Sequence, residues 1–287
     1  MDPRIADLIR LLELEQLEVN LFRGESRDIG AAQVFGGQVL GQALSAASRT
    51  IESGRLVHSL HAYFLRRGDF NAPIVYEVDR SRDGQSFSSR RVTAIQHGEQ
   101  IFNMAASFQI VEEGFDHQIE MPPVPSPDSL PDSTNPAKEL LDRLPERMQR
   151  VASRPRPFEF RMVQPFDYLA PRKSAPMRQV WLRAVSPVPD DETLHRCLLA
   201  YVSDFYLLDT ATLPHGTSYL TSNVVMASID HAMWFHRPLR VDEWLLYSVE
   251  SPSASGARGF ARANVFAQDG RLVASTAQEG LVRVGRA

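Results

Sequence analysis

HAYFLRR (residues 61–67) and HAMWFHR (residues 231–237) begin 170 residues apart, and the segments after them match in kind. IVYEV (74–78) stands against LLYSV (245–249). SSRRVTAIQHG (88–98) stands against RGFARANVFAQDG (258–270), and QIFNMAASF (100–108) against RLVASTAQ (271–278). Each set reads as strands with turn signals between them, Arg82-Asp83-Gly84 and His97-Gly98 in the first and Asp269-Gly270 in the second. Gly98 and Gly270 are 172 apart, so the copies align with gaps of a residue or two. Duplication of this kind specifies architecture more sharply than any isolated motif.

Working outward, each set is preceded by a helix poor in charge. Residues 36–51, GGQVLGQALSAASRTI, carry Gly36, Gly37, Gly41, Ala43, Ala46 and Ala47. Glycine in a helix costs about 1 kcal/mol relative to alanine, so close approach of neighbouring backbone must offset it. Residues 191–208 are also helical and largely apolar. A helix apolar on most sides is buried. The expected architecture is α+β: two repeats, each an antiparallel sheet wrapped around a long central helix, able to pair sheet edge to sheet edge. Ahead of the first repeat, leucines at helical spacing predict a helix over 6–17, then a strand in LEVNLFRG (17–24). Prolines recur through 112–156, around the helical stretch AKELLDRLPERMQ (137–149). The expected units are therefore 1–111, a proline-rich linker 112–156 with a short helix, and 157–287.

Composition narrows the function. The chain has 287 residues, 43% of them hydrophobic, enough for a substantial core. A net charge of −4 gives no basic field for nucleic acid. Cys197 is the one cysteine, which rules out an internal disulfide or a CxxC metal pair. No signal-peptide pattern and no apolar run of ~18 residues is seen, so neither export nor a membrane span is expected, and the cytoplasm is the expected compartment. No GxSxG, GxGxxG or GxxxxGK[ST] occurs. His231 and His236 would point to opposite faces of a strand and make a poor zinc site, so both read as structural and no metal or cofactor is expected. RSRDGQSFSSRR (80–91) reads as a solvated strand pair, with anion binding as a lesser reading.

Asp204, in YVSDFYLL (201–208), is the anomaly, because an ionised carboxylate in an apolar run must be paired or face a cavity. On a helical wheel Leu194, Leu198, Tyr201, Val202 and Phe205 form the apolar face. Arg196 and Ser203 lie opposite, and Asp204 falls between. A salt bridge to arginine competes with a catalytic role. Strand alternation puts Leu272, Ala274, Thr276 and Gln278 on one inward face. Taken alone, Gln278 reads as an amide tying down sheet backbone and Ser228 as a strand-end hydroxyl.

FGGQVLGQAL (35–44), YVSDF (201–205), IDHAMWFHRP (229–238), EWLLYSVESPSASGARG (243–259) and VASTAQEGLVR (273–283) together resemble the type II acyl-CoA thioesterases, weakest in the proline-rich linker. The resemblance implies a double hot-dog fold and hydrolysis of acyl-CoA to free acid and CoA, with no metal and no covalent intermediate. It also implies a water held by Asp204, Ser228 and Gln278, with serine where many members have threonine. The implied partner is the acyl-CoA substrate, and a homo-oligomer, dimer or tetramer, is expected. A hydratase or dehydratase using His58 or His61, or a non-catalytic acyl-CoA sensor, are the competing readings. An oxyanion needs backbone N–H donors, and Gly36-Gly37 offers backbone to a ligand, but it lies in the other repeat from Asp204.

Overall fold

The computed structural model describes residues 1–30, 33–135, 141–142, 146, 149, 152–218 and 224–285. In chain order the elements are α1 (Pro3–Leu12), β1 (Glu15–Glu18), β2 (Leu21–Gly24), α2 (Gly36–Ser48), β3 (Arg55–Phe64), β4 (Ile74–Asp83), β5 (Phe87–Gln96) and β6 (Glu99–Ile110). The second half has β7 (Phe158–Met162), β8 (Met177–Ala184), α3 (Glu192–Ser203), β9 (Val224–Ser228), β10 (Asp230–Phe235), β11 (Leu245–Ser255), β12 (Arg258–Ala267) and β13 (Leu272–Val284). A short 3₁₀ helix over Leu208–His215 comes after α3.

One antiparallel sheet runs in the order β1-β2-β4-β5-β6-β3-β10-β13-β12-β11-β8-β7, with β9 against the end of β13. Read outward from the centre, the halves are β3-β6-β5-β4-β2-β1 and β10-β13-β12-β11-β8-β7. These are the same positions in the same chain order, so the duplication seen in sequence is the duplication of the fold. The halves join edge to edge through β3 and β10, with Ala232 opposite His61 and Trp234 opposite Ser59. The sheet wraps the two helices, giving the double hot-dog.

The glycines of α2 explain why the helices meet so closely. A Cβ on Gly37 would stand 2.1 Å from the carbonyl oxygen of Tyr201, and one on Gly41 would stand 3.2 Å from that of Cys197. Both carbonyls belong to α3, so small residues on one helix admit the backbone of the other.

Several sequence expectations change. The first helix starts at Pro3, capped by Asp2, and stops at Leu12 rather than 17. Residues 15–24 form a hairpin of two strands instead of one strand over 17–24, because the chain turns at Val19 and Asn20. Helix α3 ends at Ser203, short of 208. Arg196 and Ser203, opposite the apolar face of the wheel, are buried as well: α2 packs along α3, Arg196 bonds to Val57 of β3, and Ser203 meets His231 of β10. Leu272 does not share the face of Ala274: a register shift opposite Val265 and Phe266 turns it toward Trp181, Trp244 and Phe266. That outer cluster is covered by Met121, Val124 and Leu130 of the proline-rich stretch. Arg90 is fully buried, not solvated. It binds Thr50 and the carbonyls of Arg82 and Ser89, with Asp83 as counter-charge. The helix expected over 137–149 lies largely outside the described residues.

A fragment of residues 1–111 would expose the β3 edge and the glycine face of α2, and open edges promote pairing. It should elute from size exclusion as oligomer or aggregate. A monomer that melts cooperatively would show that the halves fold independently.

Candidate active site

Asp204 lies where the two halves meet. It is the C-cap of α3 (φ −78°, ψ −6°), and the chain turns sharply after it, with Tyr206 at φ 63°. Its side chain is 6% exposed. Oδ2 accepts from the Gly37 N–H at 2.9 Å, in the first turn of α2. Oδ1 accepts from Gln278 Nε2 at 2.7 Å, from β13. Ser228, at the end of β9, places Oγ 3.5 Å from Oδ1, longer than an ordinary O–H···O bond. The salt bridge weighed for Asp204 is not what the structure shows. Its close partners are an amide N–H, a side-chain amide and a hydroxyl.

The competing effects on Asp204 can be ranked. Burial pushes its carboxyl up to about 6, and the bonds from Gln278, Gly37 and Ser228 act in the lowering direction without cancelling it. The helix ends also pull in opposite senses. The C-terminus of α3 disfavours negative charge, while the N-terminus of α2 favours it. A carboxylate poised near neutrality is suited to proton transfer.

Asp204, Ser228 and Gln278 line one cavity of about 540 Å³. Its walls include Met162, Phe166, Phe205, Tyr206 and Met226, with Asp132 to Asn135 and Arg156 contributed by the proline-rich stretch. That stretch is thus part of the site's wall, which composition alone did not reveal. The three candidate residues come together here. Sequence reading missed His231, fully buried behind Gln278 with Nδ1 3.1 Å from its Nε2 and 4.0 Å from Asp204 Oδ1. Its neighbourhood was readable, since β13 brings Thr276 and Gln278 to one face. Its spacing to His236 raised the question of metal instead. His58 is bonded to Ser107 Oγ at 2.8 Å, and His61 packs edge-on to Trp234. Among the described residues no three His, Cys, Asp or Glu side chains converge on a metal-sized site, and no helix is long and apolar enough to cross a membrane.

Residues 155–281 match the family model described as acyl-CoA thioesterase, and residues 24–109 match the acyl-CoA thioesterase N-terminal domain. Over 283 residues the chain is 42% identical to acyl-CoA thioesterase 2 of Haemophilus influenzae, covering 99% of each protein. It is 40% identical over 291 residues to human acyl-coenzyme A thioesterase 8, covering 99% of this chain and 91% of that one. The crystal structure of acyl-CoA thioesterase II TesB2 from Mycobacterium marinum superposes with a TM-score of 0.79 at 45% identity, over 97% of this chain and 98% of that one. The fold and the paired helices at Asp204 thus have a class. The chain belongs to the acyl-CoA thioesterase family.

Gly37→Ala tests the contact between the halves. The added methyl would meet backbone at 2.1 Å, so α2 must shift and the N–H to Asp204 must lengthen. Activity should fall at least tenfold and the melting temperature should drop, by the 1–3 kcal/mol usual for overpacking or more. Wild-type activity with unchanged melting would show that the approach is not needed.

Proposed function

We propose that this enzyme hydrolyses fatty acyl-CoA to free acid and CoA by direct attack of a water on the thioester carbon, with Asp204 as general base. The observation that carries the reading is the buried Asp204 carboxylate, held by donors from both halves at the base of a largely apolar cavity. An apolar wall suits an acyl chain, and a carboxylate beside it can take a proton from water. The water oxygen bonds to the carbonyl carbon as its proton passes to Asp204. The tetrahedral intermediate then expels the CoA sulfur as thiolate, which collects that proton and leaves Asp204 ionised again. A thiol ionises near pH 8.5, so the leaving group asks little of the enzyme. Ser228 and Gln278 orient the water; the long Ser228–Asp204 separation leaves the hydroxyl able to bond to it.

The hydratase reading gains nothing from the geometry. It needs a histidine acid beside the carboxylate, and the ring nearest Asp204 is His231. Burial pulls His231 down to about 3, and both of its nitrogens face protein partners. Steady-state release of thiol from acyl-CoAs of graded chain length tests the hydrolase reading against hydration and against silent binding.

Asp204→Asn should lower kcat by about 10²-fold or more with KM little changed, since it removes the base and keeps the shape. Wild-type turnover in that variant would reassign the base. In the wild type, kcat/KM should rise with pH through the region of 6 and level above it, because the ionised carboxylate is the active form. A profile flat from pH 5 to 8 would contradict the role. The sign for stability is opposite. A folded-state value above the ordinary 3.8 means the native protein holds the proton more tightly, so this contribution to stability is lost as pH rises from about 4 to 6.

Ser228→Ala should cut kcat by about 2- to 15-fold, the worth of one neutral hydrogen bond, with a smaller change in KM. Ser228→Thr should keep or raise activity, its methyl restricting χ1. Kinetics of Ser228→Ala equal to wild type on both a short and a long acyl-CoA would remove Ser228 from the water site.

A further inference from the structure

The ring behind Gln278 does more than fill space. His231 Nε2 lies 3.0 Å from Ser203 Oγ and 3.0 Å from Thr276 Oγ1. Each hydroxyl has one proton to give. Thr276 donates to the carbonyl of Ala232 at 2.8 Å, and Ser203 to that of Ala200 at 2.9 Å, with Met233 Sδ the other acceptor in its reach at 3.4 Å. Toward the ring both hydroxyls are therefore acceptors, and Nε2 carries the hydrogen. In a neutral imidazole that leaves Nδ1 as a lone pair, and Gln278 Nε2 meets it at 3.1 Å. The other hydrogen of that amide goes to Asp204 Oδ1 at 2.7 Å. Both donors of Gln278 are then committed. Its Oε1 is buried without a partner among the described residues, on a side chain that lines the catalytic cavity.

We propose that His231 is a positioning residue that locks the Gln278 amide one way round, so that Nε2 holds Asp204 and Oε1 is the acceptor offered to the attacking water. The flipped amide would set Oε1 against the Asp204 carboxylate and the Nδ1 lone pair, two acceptor–acceptor contacts. In the locked orientation the water gives one hydrogen to Gln278 Oε1 and the other to Asp204. A lone pair is left to form the bond to the thioester carbon. Gln278 is thus an acceptor to the water, and its N–H groups serve Asp204 and His231. The role rests on Asp204 acting as base.

The groups facing Asp204 limit what a variant can disturb. Helix α2 presents the Gly37 amide, β9 presents Ser228 and β13 presents Gln278. Tyr247 of β11, a buried phenol raised well above its ordinary value, and neutral His231 of β10 carry no charge near neutrality.

The first test leaves the protein unaltered. Long-range ¹H–¹⁵N NMR should show His231 as the neutral Nε2–H tautomer from pH 5 to 9. The Nδ1–H tautomer, or a protonated ring at pH 6, would overturn the role. The second test is kinetic. His231→Phe keeps a ring and removes the acceptor. It should lower kcat about 10- to 10²-fold with KM within about threefold, and move the acid limb of kcat/KM up by about one pH unit as Gln278 loosens from Asp204. His231→Asn, whose amide oxygen can stand near Nδ1, should recover most of the kcat. If both variants lose activity alike with the acid limb unmoved, His231 only packs. Should His231→Phe not fold, Ser203→Ala/Thr276→Val decides: it frees the ring to change tautomer and should shift the same limb in the same direction, and an unmoved limb overturns the role. Asp204→Asn separates the two failures. Were it as active as wild type, the base would be wrong. Were it inactive while His231→Phe matched wild type, only the positioning role would fall.

Discussion

The bond from the Gly37 N–H to Asp204 depends on how near two helices can come. It links the first turn of one repeat's helix to the last residue of the other's, at 2.9 Å. Ordinary side chains hold packed helix axes 8–10 Å apart. Here Gly37 and Gly41 let α2 meet the carbonyls of α3 directly, at the propensity cost glycine brings to a helix. The sheet must curve around both helices at once, and the β3–β10 seam fixes their relative position. Remove the close approach and Asp204 has no donor from the first half.

That approach also sets the chemistry of the carboxylate. Had Asp204 been solvated it would be a weak base, ionised near 4 and little inclined to take a proton at neutral pH. Burial raises its affinity for the proton, and a buried charge without partners would simply be neutral. The donors keep the ionised form accessible. With burial the larger effect and the bonds opposing it, the group settles at about 6, within reach of neutral pH. Both effects come from the same geometry, the one from enclosure between the halves and the other from the amides enclosure brings near.

Much of this was legible from the chain, and the pattern of success is physical. The strand repeat is a period-2 signal with strong turns, and the glycines of residues 36–51 announced a close contact without naming its partner. Asp204, Ser228 and Gln278 were reached through resemblance; polarity alone left each with an ordinary structural explanation. What was not legible depends on the third dimension. Helix α3 ends at Ser203, and the positive φ of Tyr206 just beyond it is a turn that the apolar pattern of 201–208 does not announce. Arg90 and Arg196 look like surface residues because charge usually is. Each is instead buried, with backbone carbonyls to receive its N–H groups. His231 was read against His236, its neighbour in sequence, when its partners come from α3 and β13.

The duplication also shows why, among the described residues, the grouping around Asp204 occurs in one half and not in the other. Strand for strand the second half matches the first, except that β9, which carries Ser228, has no first-half counterpart among the described residues. The C-cap of α3 is Asp204, whereas that of α2 is Arg49, whose side chain reaches Gln16 and the carbonyl of Leu14 and lies over Phe22. At the offset set by Gly98 and Gly270, Gln278 falls on Ala106, which is buried on β6 but has no amide to offer. In the register of the sheet the first-half counterpart of His231 is Leu60, opposite Ala106 and equally buried, with no ring nitrogen to offer. The asymmetry runs the other way at the helix starts. The N-terminus of α3 is capped by its own Asp191, which takes the Thr193 and Leu194 N–H groups. That of α2 begins at Phe35 with no side-chain cap and gives the Gly37 N–H to Asp204. One repeat has kept the acid and the amide, and the other has kept an uncapped helix start. The Asp204 carboxylate takes its donors from both sets, so the contact between the halves is part of this arrangement.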